Sequence, residues 1–327
     1  MRVKGRSLLV IALLLFGGYA VYDYMKEKKA ETTQAESAKL LSINFDQVDS
    51  IEIDRGSEKI QIKRTVEGWN VESPIKDLGD NNAADDLVKM ASSEKILDVA
   101  KEGPGIDWSL YGLDQPAGSI TFINSAGQKN SFQISNKLNF ENNPFARRDN
   151  EDRVLVVNSS WQTRVKKTVT EFRDRRFLRA KMASIEDFNL KNQAGRVQIS
   201  LKDGRWIAPA NKDLILDQQK VRELFRGISN AKGASFVEGK MPALKSLFVL
   251  DLKLGDKAWK GEVGQAPSKK IYAKVSDPSL QMEMEPGALD NLISLKIEDL
   301  KEGATPKENK KPGDDETAQI AEKKDKL

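Results

Sequence analysis

The 327-residue chain has no cysteine and no histidine, and these two absences remove most of the common catalytic and metal-binding chemistry. Without a thiol there is no disulfide, thiolate nucleophile, iron–sulfur cluster, thiolate zinc site or lipid-modified N-terminal cysteine. Without an imidazole there is no Ser-His-Asp triad, histidine zinc site or histidine general base. Glycine-rich phosphate loops of the Walker or dinucleotide type are missing as well. Asp80-Asn81-Asn82 lacks the continuation of a calcium loop and instead suits a helix N-terminus beside Ala83. Acids occur as neighbours, at Asp85-Asp86 and Glu151-Asp152. A glycosidase needs two acids facing each other across a cleft, about 5–10 Å apart, which adjacency does not supply. The expectation is a protein that is not an enzyme and takes no cofactor and no metal. Its 53 basic and 49 acidic residues nearly cancel, to a net charge of +4, which argues against the concentrated basic surface of a nucleic-acid binder.

What is present begins at the N-terminus. Arg2, Lys4 and Arg6 precede an uncharged, mainly apolar stretch from Leu8 to Tyr22, closed by Asp23. The run is short against the roughly 20 residues of a typical transmembrane helix. Tyr19, Tyr22 and Tyr24 nevertheless suit a membrane interface, and the flanking cations can snorkel. A signal anchor over residues 7–25 is expected, after a cytoplasmic segment at 1–6. Gly18-Tyr19-Ala20 also fits the small-x-small pattern of signal cleavage, so cleavage after Ala20 stays open. A short tail before the span and a long chain after it favour a single-pass inner-membrane protein with its folded part on the periplasmic side. Residues 26–39 read as a polar stalk. Residues 302–327 read as a charged tail that cannot bury enough apolar surface to offset the entropy of ordering.

Between stalk and tail lies an internal repeat. The offset that carries Trp69 onto Trp206 also pairs Ile51 with Phe188, Ile53 with Leu190, Ile60 with Val197, Ile62 with Ile199, Leu87 with Leu224 and Val99 with Phe236. In the first copy, alternation around Arg55-Gly56-Ser57 predicts a hairpin, followed by a tryptophan strand that Pro74 ends. Helices are predicted over 83–99, 217–230 and 287–292. Further hairpins turn at Ala126-Gly127 and Gly255-Asp256, and Phe145-Ala146-Arg147 echoes Tyr272-Ala273-Lys274. A helix over 160–170 is read as part of an amphipathic connection from Trp161 to Phe177, with Trp161, Val165, Val169 and Phe172 on one face. The expected fold class is α+β: two similar tandem halves, 40–181 and 182–301, each an antiparallel sheet with helices packed on one face.

Gly68-Trp69-x-Val71-x-x-Pro74, Tyr111-Gly112-Leu113-Asp114-x-Pro116, Phe145-Ala146-Arg147 and Phe172-Arg173-Asp174-Arg175 together resemble an uncharacterised family of membrane-anchored bacterial proteins with a duplicated domain of unknown function. Its members are often encoded beside gliding-motility-type (Gld-like) ABC transporter components. The resemblance implies a transporter neighbourhood, with permease and ATPase as partners, and no chemistry. The second copy has no equivalent of the Tyr111 motif.

The residues singled out for a partner or ligand surface are Tyr111, Asp114, Arg147, Arg148, Arg173, Arg175 and Arg176. The Tyr111 motif reads first as a turn, in which Gly supplies the unusual backbone angle and Pro ends the segment. The basic stretch 147–181 reads either as a solvated face with internal Arg–Asp pairs or as a surface for anionic lipid or an acidic partner. Trp69 and Trp206 are expected in the core. The function expected is an extracytoplasmic binding or scaffolding subunit of an envelope ABC transport system. The alternatives are a stand-alone structural envelope protein and, behind it, a carboxylate-dependent hydrolase.

Overall fold

The computed structural model describes Met25, residues 38–41 and residues 43–303. The expected anchor over 7–25, nearly all of the stalk and nearly all of the tail lie outside the described residues. No helix of the described residues is long and apolar enough to cross a membrane. The chain divides into two compact units between Asp174 and Arg175. Each is an antiparallel sheet with a few short helices, an α+β architecture.

In unit 1 the strands are β1 (Val48–Asp54), β2 (Lys59–Thr65), β3 (Gly68–Ser73), β4 (Asp77–Leu78), β5 (Asp98–Glu102), β6 (Gly118–Asn124), β7 (Lys129–Leu138), β8 (Pro144–Arg148) and β9 (Arg153–Val156). Their order across the sheet is β4-β3-β2-β1-β6-β7-β8-β9-β5. Period-two alternation fixes the register. Ile51 faces Ile62 and Phe122, and Ile53 faces Ile60 and Ile120, so one face is apolar from β2 to β6. Ile134, Ala146 and Leu155 extend it to β9. Helix α1 (Asn81–Ser93) lays Ala84, Leu87, Val88 and Ala91 on that face, and α2 (Ser160–Val165) adds Trp161 and Val165. Burying such a side chain is worth about 1.5–3 kcal/mol, whereas an exposed ion pair gives about 0–1 kcal/mol. The apolar face, not the abundant surface charge, therefore holds the unit together. Asp80 caps α1 by accepting from the Asn82 and Ala83 amides at 3.0 and 3.2 Å. Trp69 is buried as expected; its indole N–H donates to Asp85 at 2.7 Å, and the Arg64 guanidinium lies 4.3 Å from its ring.

Two predicted helices are shorter than their periodicity implied. α1 stops at Ser93, where the Ser92 and Ser93 hydroxyls both donate to the Lys89 carbonyl at 2.9 Å. Residues up to Val99 had kept helical spacing, but β5 instead pairs with β9, Val99 opposite Leu155. The connection from Trp161 to Phe177 is not one helix. It breaks after Val165 and restarts as the single turn α3 (Val169–Phe172), where Thr168 and Glu171 form a capping box. Three of the four residues predicted to share a face, Trp161, Val165 and Phe172, are buried in the core, and Val169 is half-buried against it.

Unit 2 contains β10 (Ile185–Asn192), β11 (Gly195–Lys202), β12 (Arg205–Ile207), β13 (Gly233–Phe236), β14 (Lys245–Leu254), β15 (Lys257–Gln265), β16 (Ile271–Ser276) and β17 (Ser279–Met284). Their order is β12-β11-β10-β14-β15-β16-β17-β13. Helix α4 (Gln218–Asn230), capped by Asp217, buries Val221, Leu224, Phe225 and Ile228 against Phe188, Leu190, Val197 and Ile199. The helix predicted over 287–292 is the single turn α5 (Asp290–Ile293). Trp206 is half-buried, with its ring 4.7 Å from that of Phe225. Gly261 has a packing reason: a Cβ there would lie 2.6 Å from Phe177 and 2.7 Å from Trp259.

Candidate functional site

Because each sheet packs its helices on one face, the opposite face is where a partner can touch ordered strands. In unit 1 part of that outer face is already covered. Outward-pointing Val154 and Val156 of β9 are buried, although they are not part of the main core. The segment after β5 carries a short 3-10 turn, Trp108–Tyr111, and packs on β8, where Phe145 stands opposite Val156. Tyr111 meets Phe145 edge-on with ring centroids 5.2 Å apart, and Arg147 stacks 3.9 Å from the Trp108 ring. Leu113 is buried. Ser135 fastens the segment by donating to the Tyr111 carbonyl at 2.6 Å, and the Lys137 ammonium donates to the Ser109 carbonyl at 2.8 Å.

Gly112 makes this closure work. It sits at φ +64°, and a Cβ there would lie 2.7 Å from the Ser135 hydroxyl. Left-handed backbone and close approach both call for glycine. Gly112→Ala is expected to destabilise unit 1 by about 1–3 kcal/mol and to expose Tyr111 and Trp108. Urea denaturation together with acrylamide quenching of tryptophan fluorescence checks both effects.

The seven residues singled out from the sequence do not form one surface. Tyr111 and Arg147 share the covered patch, while Asp114 is exposed beside it. The arginines of unit 1 are engaged internally. Arg147 donates to the Glu151 and Asn150 carbonyls at 3.0 and 2.9 Å. Arg148 pairs with Glu151 at 2.8 Å and donates to the Lys39 carbonyl at 2.9 Å. Arg173 is buried against Asp77 at 2.7 Å. In unit 2, Arg175 donates to the Gly233 carbonyl at 3.1 Å and lies 3.5 Å from Glu285, while the backbone of Arg176 forms an isolated antiparallel β-bridge with that of Lys232.

The broad open surface that sequence reasoning missed is the outer face of the unit 2 sheet. Asn189 and Lys191 of β10, Arg196 of β11, and Val249 and Asp251 of β14 line a depression of about 660 Å³. Two smaller hollows, of about 290 and 200 Å³, continue across β15 and β16; they share Glu262 and Lys274, and the smaller also reaches Val249. Register brings these residues together. Lys191 stands opposite Val249, Val249 opposite Glu262, and Glu262 opposite Lys274. Lys260 bonds Glu262 at 2.7 Å. That bond, helped by the charges of Lys260 and Lys274, holds the Glu262 carboxyl below its ordinary range, so the face stays zwitterionic into mild acid. The side-chain oxygens of Asn189 and Gln281 are buried without a hydrogen-bond partner among the described residues. The sequence signal was the alternation of charge with apolar core residues along β10, β14 and β15, which reads equally as a solvated face.

Elsewhere, the Glu94 carboxyl is pushed up by burial, against the opposing pull of Arg164 and of the Asn158 backbone N–H. It lies at the end of α1 rather than in a cleft. Among the described residues no group of three or more His, Cys, Asp or Glu side chains could hold a metal ion.

These features define an α+β protein of two antiparallel sheets whose candidate site is an open strand face. A family model for a domain of unknown function, DUF4340, matches residues 95–247, a span that includes Tyr111, Asp114 and the five arginines above. No curated protein and no solved structure matches the chain.

Proposed function

We propose that this chain is a non-enzymatic binding or scaffolding subunit, held at the inner membrane by its N-terminal apolar stretch and working beside an ABC transporter of the gliding-motility type. The observation that carries the binding role is the open, charged outer face of unit 2, with Lys191, Arg196, Asp251, Glu262 and Lys274 around connected hollows. Such a face suits a polar protein surface, where charge complementarity sets partner choice and encounter rate. The non-enzymatic reading draws support from the acid on this face. Glu262 is ion-paired and held low, the opposite of a carboxyl tuned towards neutrality for proton transfer.

A duplication underlies the arrangement. Once the two-residue β4 is set aside, the strand orders β3-β2-β1-β6-β7-β8-β9-β5 and β12-β11-β10-β14-β15-β16-β17-β13 correspond strand for strand. In that correspondence Phe145 opposite Val156 in unit 1 becomes Tyr272 opposite Glu283 in unit 2. The first copy carries an apolar outer patch with its own cover. The second carries a polar one and no equivalent of the Tyr111 motif, so the divergence leaves the second copy as the one that binds.

Affinity capture of the full chain from membranes in mild detergent tests this reading. Permease and ATPase are expected with the wild-type chain and are expected to be lost with Lys191→Glu/Arg196→Glu. Recovery of neither component with wild type would count against the transporter association. Equal recovery with both chains would move the contact off this face.

A further inference from the structure

Among the large apolar side chains that unit 1 exposes are Leu97, Leu110, Leu138 and Phe140, the last to 94%. Strand order explains why they gather. β7 ends at Leu138, β8 begins at Pro144, β9 ends at Val156 and β5 begins at Asp98. These strands are neighbours and antiparallel, so all four points fall at one end of the sheet. The Leu97 amide donates to the Val156 carbonyl at 2.9 Å. The Lys137 ammonium lies 3.3 Å from the Leu110 carbonyl, which brings Leu110 to the same end. The turn bearing Phe140 is braced: Asn139 Oδ1 accepts from the Glu141 and Asn143 amides at 3.0 and 2.9 Å. Single exposed apolar residues are ordinary. A group at one sheet end, with an aromatic ring on a braced hairpin tip, is the kind of patch that marks a contact.

The course of the chain says what covers it. The polypeptide that follows the apolar N-terminal stretch enters the fold at Ala38, whose carbonyl accepts from the Ile96 amide at 2.7 Å, next to Leu97. The tether to the anchor is thus fastened beside the patch. The geometry points to this end of unit 1 as a lipid-contacting surface, with Leu97, Leu110, Leu138 and Phe140 entering the headgroup region and Lys95 and Lys137 near the phosphates. This rests on the anchor reading of the N-terminal stretch. The opposite end of the sheet, where the β2–β3 turn carries fully exposed Val66, faces away from the bilayer.

The absence of native cysteine makes the test direct. The full-length chain carrying Phe140→Cys, labelled with an environment-sensitive dye, is reconstituted into phosphatidylcholine–phosphatidylglycerol vesicles with and without doxyl-labelled lipid. Val66→Cys serves as the distal control, and flotation reads anchoring separately. The expected result is flotation of both variants, with strong lipid quenching at position 140 and none at position 66. Flotation without quenching at 140 overturns the lipid contact while leaving the anchor. Quenching absent at 140 together with cross-linking between copies there assigns the patch to a second chain instead. Failure to float removes the anchor reading and the lipid contact with it.

Discussion

Arg173→Met is expected to destabilise unit 1 by about 3–5 kcal/mol, the usual cost of leaving one member of a buried ion pair behind. The Arg173 Nε donates to Asp77 Oδ2 at 2.7 Å, and the two side chains are only 7% and 9% exposed. Around this pair the backbone is tied twice: the Asp80 amide donates to the Phe172 carbonyl and the Asp174 amide to the Leu78 carbonyl, both at 2.8 Å. Arg173 therefore pins the last segment of unit 1 to the connection between β4 and α1. The companion experiment is the double change Arg173→Met/Asp77→Leu, which removes both charges. It is expected to recover much of the loss, because desolvation costs disappear along with the attraction. Hydrogen exchange at the amides of β1 and β6 reports the opening free energy of unit 1 separately from unit 2. A cost below about 1 kcal/mol for the single change would place this pair with ordinary surface salt bridges. A double variant as unstable as the single one would show that Asp77 matters through something other than the charge of Arg173.

How much of this was legible in the sequence depended on range. The hairpins around Gly56, Gly127 and Gly255 follow from alternation and local turns, and the strands lie where that pattern puts them. The ends of helices did not follow. Ile96 and Val99 keep helical spacing after α1, and only pairing with β9, more than fifty residues away, makes that segment a strand. Between Trp161 and Phe172 the apolar spacing named the residues that turn to the core, three buried and Val169 half-buried, but concealed the break that the Thr168–Glu171 capping box creates. In the Tyr111 motif a turn was readable, since Gly112 takes the left-handed backbone a turn can require. Its second task, packing on Phe145 of β8, depends on which face of a distant strand is left bare. The arginines of 147–176 looked like a surface in one dimension. The guanidinium groups of Arg147, Arg148, Arg173 and Arg175 are instead spent on carbonyls, on Asp77, Glu151 and Glu285, and on the Trp108 ring.

Trp161→Ala is expected to cost about 3–5 kcal/mol in the same exchange measurement, because it opens a cavity where α2 meets the sheet. Trp161 is fully buried and meets the Phe132 ring edge-on at 4.8 Å. The helix sits close because β6 offers no side chain at Gly118, where a Cβ would lie 2.8 Å from Val165. A helix this close to the strands cannot settle inward to refill the space. Trp161→Phe separates packing from polarity. The indole N–H is buried without a hydrogen-bond partner among the described residues, so phenylalanine removes an unsatisfied donor while keeping most of the ring contact. The expected order is wild type close to Trp161→Phe, with Trp161→Ala far below. A phenylalanine variant as unstable as the alanine one would mean that the indole N–H is satisfied in solution, by a water at the joint between α2 and β7, and that this joint is a polar contact rather than a packed one.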